Sequence, residues 1–170
     1  EYKIITKRLR RGLQMSIQEG CYVANAPYGY RKTVVDRRPT LEICEPEAQF
    51  VRMMFQLYAQ GYGCTWVARH VNALGARPHR SESFSRNSVA KILRSPTYIG
   101  KIVWNQRKHV RQGTQGSPRH VTVYQPRDQW IITDGLHPAI VDRALFDQVQ
   151  AIMDGRYRPP RNDGTVRSPL

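Results

Sequence analysis

Between Glu45 and Pro96 the chain carries three short apolar stripes at helical spacing, each closed by glycine or proline, and this pattern restricts the fold more than any other feature. Phe50, Val51, Met54, Phe55 and Tyr58 share one face of the first, with Pro46 and Glu47 suited to a helix start and Gly61 to a stop. After the GYGCT loop, Thr65 is placed to cap a second helix that turns Trp66, Val67, Val71 and Leu74 inward and ends at Gly75 and Pro78. A polar loop over 76–83 leads to Ser85, a suitable N-cap, and to a third helix over 86–94 with Val89, Ile92 and Leu93 buried; Pro96 ends it. If those three face a core, then Arg86, Asn87, Ala90, Lys91 and Arg94 are left on or near the outer surface.

Charge gives that surface a direction. From Arg77 to Arg119 there are ten Arg or Lys residues and one acidic residue, Glu82, and residues 1–40 hold nine basic groups against three acidic ones. Residues 41–76, between them, carry two and three, within a chain of net charge +14. No acidic stretch is available to pair internally with so much positive charge, so the natural partner is a polyanion. Arg and Asn read guanine and adenine edges through paired hydrogen bonds, and an α-helix fits the major groove. Three short helices with such an outer face read as a tri-helical, helix-turn-helix-like unit for double-stranded DNA; an ordinary helical bundle with a solvated basic face is the alternative.

The flanking segments are less regular. Residues 2–18 set Ile4, Ile5, Leu9, Leu13 and Ile17 near one helical face, with Lys7, Arg8, Arg10 and Arg11 around the rest, either solvated or lying along a DNA backbone. Residues 20–27 read as an extended crossing, then Tyr28–Val35 and Thr40–Cys44 as a hairpin around Asp36–Pro39, whose Arg31, Lys32, Arg37 and Arg38 are candidate phosphate contacts. Tyr22, Tyr28 and Tyr30 read as packing residues in preference to a stacking platform for single strands. Residues 98–104 form an extended or irregular packing segment. Residues 107–119 read as a mobile Arg- and Gly-rich arm gripping phosphate through Arg107, Lys108 and Arg111, and strands are expected at His120–Tyr124 and Gln129–Thr133. Asp142 caps a last helix that buries Leu145, Phe146, Val149 and Ile152, and the tail from 156 has the composition of a linker. The fold expected is mainly α with small antiparallel β elements.

Catalytic readings are weak. No serine stands in a nucleophile elbow, and no phosphate-cradling glycine loop precedes Lys-Ser or Lys-Thr. Asp36, Glu42, Glu45 and Glu47 are the densest acidic group, and Glu47 is better read as a helix-start residue. Cys21, Cys44 and Cys64 lack zinc-knuckle spacing and read as free thiols, so no metal or cofactor is expected. No apolar run approaches the roughly 20 residues of a membrane span, and no signal-peptide pattern opens the chain, which makes a soluble intracellular location the expectation.

Four blocks in order, APYGY at 26–30, EPEAQFVRMMFQLYAQGYGCTWVARHVNALGARP at 45–78, FSRNSVAKILRSPTYIGKIVWN at 84–105 and HPAIVDRALFDQVQAIM at 137–153, resemble the recombinase domain of large serine recombinases, the phage integrases and transposon recombinases of the resolvase/invertase superfamily. The resemblance implies a DNA-binding module without recombinase activity of its own. The serine nucleophile would lie in a catalytic domain before Glu1, and a zinc ribbon would follow Leu170. Residues 1–19 would then end a linker helix, 20–155 form the DNA-binding domain, and 156–170 lead onward. It also implies binding to the inner part of an attachment-site half-site, with Arg86, Asn87, Lys91 and Arg94 at bases or adjacent phosphates. Arg77, His79 and Arg80 would touch the backbone, Lys7, Arg8 and Arg11 would follow the DNA toward the cleavage site, and Arg156, Arg158 and Arg161 would run along it in the linker. A stand-alone helix-turn-helix regulator and a general nucleic-acid-binding module are the rival functions. The parent is expected to act as a dimer or tetramer on DNA and the fragment to be a monomer.

Overall fold

The computed structural model describes residues 2–112 and 119–156. Among them are five α-helices and three two-stranded antiparallel sheets, so the chain is mainly α with small β elements. Helix α1 spans Tyr2–Gln18, α2 Glu45–Ala59, α3 Cys64–Ala73, α4 Arg86–Arg94 and α5 Arg143–Gly155. Strands β1 (Tyr30–Val35) and β2 (Arg38–Ile43) pair as a hairpin, with Tyr30 opposite Ile43; Asp36 and Arg37 take positive φ in its two-residue turn, so Arg38 and Pro39 belong to the strand. Strand β3 (Lys101–Trp104) pairs with β6 (Ile131–Asp134), and β4 (Arg107–Gln112) with β5 (Arg119–Tyr124).

Helices α2, α3 and α4 are 15, 10 and 9 residues long, lengths at which isolated helices are marginal in water, so their stability comes from the face they share. Val51, Met54 and Phe55 of α2, Val67 and Val71 of α3, and Val89 and Leu93 of α4 are all fully buried in one cluster, and α5 closes it with Phe146 and Val149. Burying each such side chain contributes roughly 1.5–3 kcal/mol. Gly61 and Gly75 end α2 and α3 as expected. At each, the glycine N–H and the next N–H reach back to the last helical carbonyls (Tyr62 to Leu57, Ala76 to Val71), an arrangement that requires the positive φ both glycines adopt.

Two tyrosines tie the β1–β2 hairpin to this core. Tyr98 is buried and its hydroxyl donates to the Tyr28 carbonyl at 2.9 Å; Tyr30, stacked on it at 5.9 Å, donates to the Pro138 carbonyl at 2.7 Å. Gly29 between them has φ of 93°, and a Cβ there would stand 3.0 Å from both Val51 and Ile140. Tyr28 and Tyr30 are thus packing residues, and Tyr22 is half-buried against His137.

Several expectations need correction. Helix α3 begins at Cys64, with Gly63 as an N-cap that has no side chain to offer, so Thr65 is not the cap. Trp66 and Leu74 face solvent at 42% and 51% exposure, because Val67, Ala68 and Val71 already fill the inner face; Trp66 stacks instead between Tyr62 and His70. The arm beginning at 107 is not a loop: 107–112 forms a strand paired with 119–124, while 113–118 lies outside the described residues. The strand placed at Gln129–Thr133 starts at Ile131, after a 3-10 turn over Arg127–Gln129. Asp142 precedes α5 as its N-cap residue without a side-chain cap bond. Only Ile17 of the α1 stripe is buried; Ile4, Ile5, Leu9 and Leu13 stay exposed.

Candidate nucleic-acid interface

Helix α4 is held from three sides, and this determines what it presents. At its start Ser85 and Ser88 exchange bonds in a capping box: the Ser88 N–H donates to Ser85 Oγ at 3.2 Å and the Ser85 N–H to Ser88 Oγ at 2.7 Å. One residue earlier, the Asn72 side chain of α3 clasps the Phe84 backbone, donating to its carbonyl and accepting from its N–H, both at 2.8 Å. At the far end Gln150 of α5 donates to the Leu93 carbonyl at 2.6 Å, satisfying one of the orphan acceptors of the last turn. With Val89, Ile92 and Leu93 locked inward, Arg86, Asn87 and Lys91 are exposed and have no hydrogen-bond or ion-pair partner among the described residues.

The remaining predicted residues divide by their partners. Arg94 is exposed but ion-paired with Asp154 at 2.6 Å. Arg77 donates to the Glu82 carbonyl at 2.8 Å, and Arg80 is exposed and unpaired among the described residues. His79 lies 2.9 Å from the Glu47 carboxylate, which also accepts from the Gly29 N–H at 2.8 Å, so this histidine fastens the loop before α4 to the start of α2. Its ring lies against Tyr28, whose hydroxyl is pushed up to about 12 by burial first and then by the Glu47 charge. Arg156 donates to the Gly61 carbonyl at 2.9 Å and covers the Tyr58 ring. Burial pushes the Cys64 thiol up, and the Arg86 charge, a backbone hydrogen bond and the Arg156 charge pull it part of the way back.

Lys7, Arg8 and Arg11 are exposed on α1, and Arg107 and Lys108 on β4, where Arg107 covers the Tyr124 ring at 5.1 Å. Arg111 lies in β4 with its side chain outside the described residues, and Arg158 and Arg161 lie outside them altogether. Folding brings distant basic blocks together on either side of the β3–β4 junction. On one side, a cleft of about 460 Å³ has Arg10 of α1 facing Asn105, Gln106, Arg107 and Lys108. On the other, a cleft of about 660 Å³ runs between the last turn of α4, the junction, the 127–130 turn and α5, with Lys91, Arg94, Arg107 and Arg127 in its lining. Gln106, Arg127 and Trp130 were not singled out as contact candidates from the sequence, and Arg10 was read only as part of the basic face of the first helix. Arg127 sits in a segment, 121–141, with one basic and two acidic residues, so averaging charge along the chain hides it. Among the described residues no three of His, Cys, Asp and Glu gather as a metal site, and no helix is long and apolar enough to cross a membrane.

A family model described as Recombinase matches residues 45–156, from the first residue of α2 to one residue beyond α5. The chain belongs to the Recombinase family. The recombinase segment takes in all three stripe helices, the larger cleft and α5, and agrees with the resemblance to the recombinase domain of large serine recombinases carried by the four sequence blocks. A protein of Bacillus subtilis (strain 168), named provisionally as a DNA recombinase, is 25% identical over 160 residues, covering 88% of this chain and 31% of its own length. Two solved structures share the fold at 20% identity. One comes from work on the sequence requirements of the Listeria innocua prophage attP site (TM-score 0.57; 86% of this chain and 51% of that one). The other is a crystal structure of an LSR–DNA complex (TM-score 0.59; 88% and 42%). The chain thus spans about a third of the curated relative and about half or less of each solved chain.

Proposed function

We propose that this recombinase domain binds double-stranded DNA at an attachment-site half-site, as the DNA-binding part of a large serine site-specific recombinase whose nucleophilic serine lies outside the chain. The observation that carries the reading is the state of α4: a helix capped and anchored from behind, with Arg86, Asn87 and Lys91 exposed and unpaired among the described residues. Side chains held on a rigid element with free donors are what direct base readout needs. In this reading α2, α3 and α4 act as a helix-turn-helix-like unit, with α4 in the major groove and Arg77 and Arg80 at the flanking phosphates. Lys7, Arg8 and Arg11 follow the duplex along α1, and Arg107, Lys108 and Arg111 grip phosphate from the hairpin. Residues 20–155 make up the domain, 1–19 the end of a linker helix, and the tail from Arg156 the lead toward a further module. The two structural neighbours support the partner, since one concerns a prophage attP site and the other a complex with DNA. A dimeric or tetrameric parent acting in the bacterial cytoplasm belongs to the same proposal.

Arg86→Ala or Asn87→Ala should reduce discrimination between the correct half-site and a scrambled one by about 1–3 kcal/mol if a paired base contact is lost. Competitive binding against both DNAs checks this. Equal losses on the two would sink the assignment of α4 as the base-reading helix.

A further inference from the structure

The larger cleft combines two kinds of surface that rarely meet on a merely solvated face. Its lining includes the apolar side chains of Val103, Ile132 and Phe146, and Trp130 is fixed there by its indole N–H donating to the Gln125 carbonyl at 2.9 Å. The same lining holds Lys91, Arg94, Arg107 and Arg127 and no carboxylate; Asp154, outside it, pairs with Arg94. Arg127 is exposed and without a hydrogen-bond or ion-pair partner among the described residues. Four basic side chains beside apolar ones, Arg94 already paired with Asp154 and the other three without an acidic partner among the described residues, suit a ligand that is itself anionic along one edge and apolar along the other. A sugar–phosphate strand has that character.

The position of the cleft relative to α4 agrees. Nine residues make α4 about 13 Å long, close to the roughly 12 Å width of the major groove. With Arg86 and Asn87 toward the bases, the opposite end of the helix, where Lys91 and Arg94 join the cleft, stands at the groove wall, which is phosphodiester backbone. We propose that the cleft seats the phosphodiester strand bordering the groove that α4 enters, with Arg127 supplying the far wall of the clamp. This narrows Lys91 and Arg94 from bases or adjacent phosphates to the backbone alone, and it adds a cation from a segment that is net acidic in sequence. The inference rests on the placement of α4 proposed above.

Arg127→Ala tests it, because the side chain is exposed and the turn is held by the Arg127 carbonyl, which accepts from the Trp130 N–H at 3.2 Å and survives the substitution. The variant should bind correct and scrambled half-sites several-fold more weakly in equal measure. The slope of log affinity against log salt should become shallower by about 0.9, as expected for one lost phosphate contact. Arg127→Lys should restore most of the slope. Ethylation interference should show one or two backbone phosphates whose modification weakens the parent chain but no longer weakens R127A. An R127A variant with parental affinity and slope, on DNA that the parent chain does bind, overturns the clamp and leaves the α4 reading standing. A change in discrimination in place of general affinity also overturns it. Failure of the parent chain to bind any duplex overturns both. A dinucleotide that competes at the cleft and is released by R127A while duplex affinity stays constant identifies a free-nucleotide site and overturns the strand assignment.

Discussion

His137 shows how much one side chain can be asked to do. It is buried against Tyr22 and Tyr30, its Nε2–H donates to the Thr97 carbonyl at 2.9 Å, and Nδ1 has no partner among the described residues. Burial lowers its pKa below the ordinary value of 6.5, with the Thr97 bond offsetting only part of this. The folded protein therefore resists a proton that the unfolded chain accepts. Stability from this group is complete above pH 6.5 and declines as pH falls below it, by at most about 1.4 kcal/mol per pH unit. Urea midpoints measured from pH 7.5 down to 5.5 should fall more steeply for the parent chain than for His137→Gln; parallel curves would show that His137 does not contribute. Nothing local to His137 announces this in the sequence, since the burial depends on Tyr22, Tyr30 and Thr97 converging on it. The same holds for His79, assigned to DNA backbone by its neighbours in sequence but bound to Glu47, 32 residues away.

Among elements, the decisive junction is the one between α3 and α4. The stripes, the glycine stops and the Ser85 cap were all legible, because each depends on side-chain spacing or on the special conformations of glycine and serine within a few residues. The clasp of Asn72 on Phe84 was not, because Asn within a helix has no characteristic signature until its long-range partner is known. Asn72→Ala leaves the Phe84 N–H and carbonyl without that partner in a part-buried setting, and should cost about 1–3 kcal/mol, more than the roughly 1 kcal/mol expected for Ser85→Ala, whose cap is exposed. Denaturant unfolding of the two variants checks the ranking. The misplaced Trp66 has a related cause: it stands one residue from Val67, about a quarter-turn around the helix, and an aromatic next to a true core position is drawn inward when pattern alone is used.

At the scale of the whole molecule, the important event is the gathering of charge. Arg10 from the first basic block, Lys91 and Arg107 from the second, and Arg127 from a net acidic segment line two clefts that share Val103, Gln106 and Arg107. Helix α1 contributes charge with little packing, since Ile17 is its buried contact and Ile4, Ile5, Leu9 and Leu13 remain exposed. Removing residues 1–11 should therefore change the unfolding free energy by no more than about 0.5 kcal/mol. The same truncation should weaken half-site binding and make its salt dependence shallower, through loss of Lys7, Arg8, Arg10 and Arg11. A large loss of stability in calorimetry would show that α1 packs more tightly than its exposure indicates.

The sequence by itself determined where α2, α3 and α4 run, the greater part of their inner faces, Trp66 and Leu74 excepted, and a net charge that suits a polyanion. These follow from periodicity, from glycine and proline conformation and from net charge, all of which act over short stretches or sum without regard to position. Tertiary structure alone decided which cations are engaged by internal partners and which are exposed without one. Arg94 is engaged by Asp154, whereas Arg86, Lys91 and Arg127 have no hydrogen-bond or ion-pair partner among the described residues, because ion pairing depends on distances of a few ångströms between groups far apart in the chain.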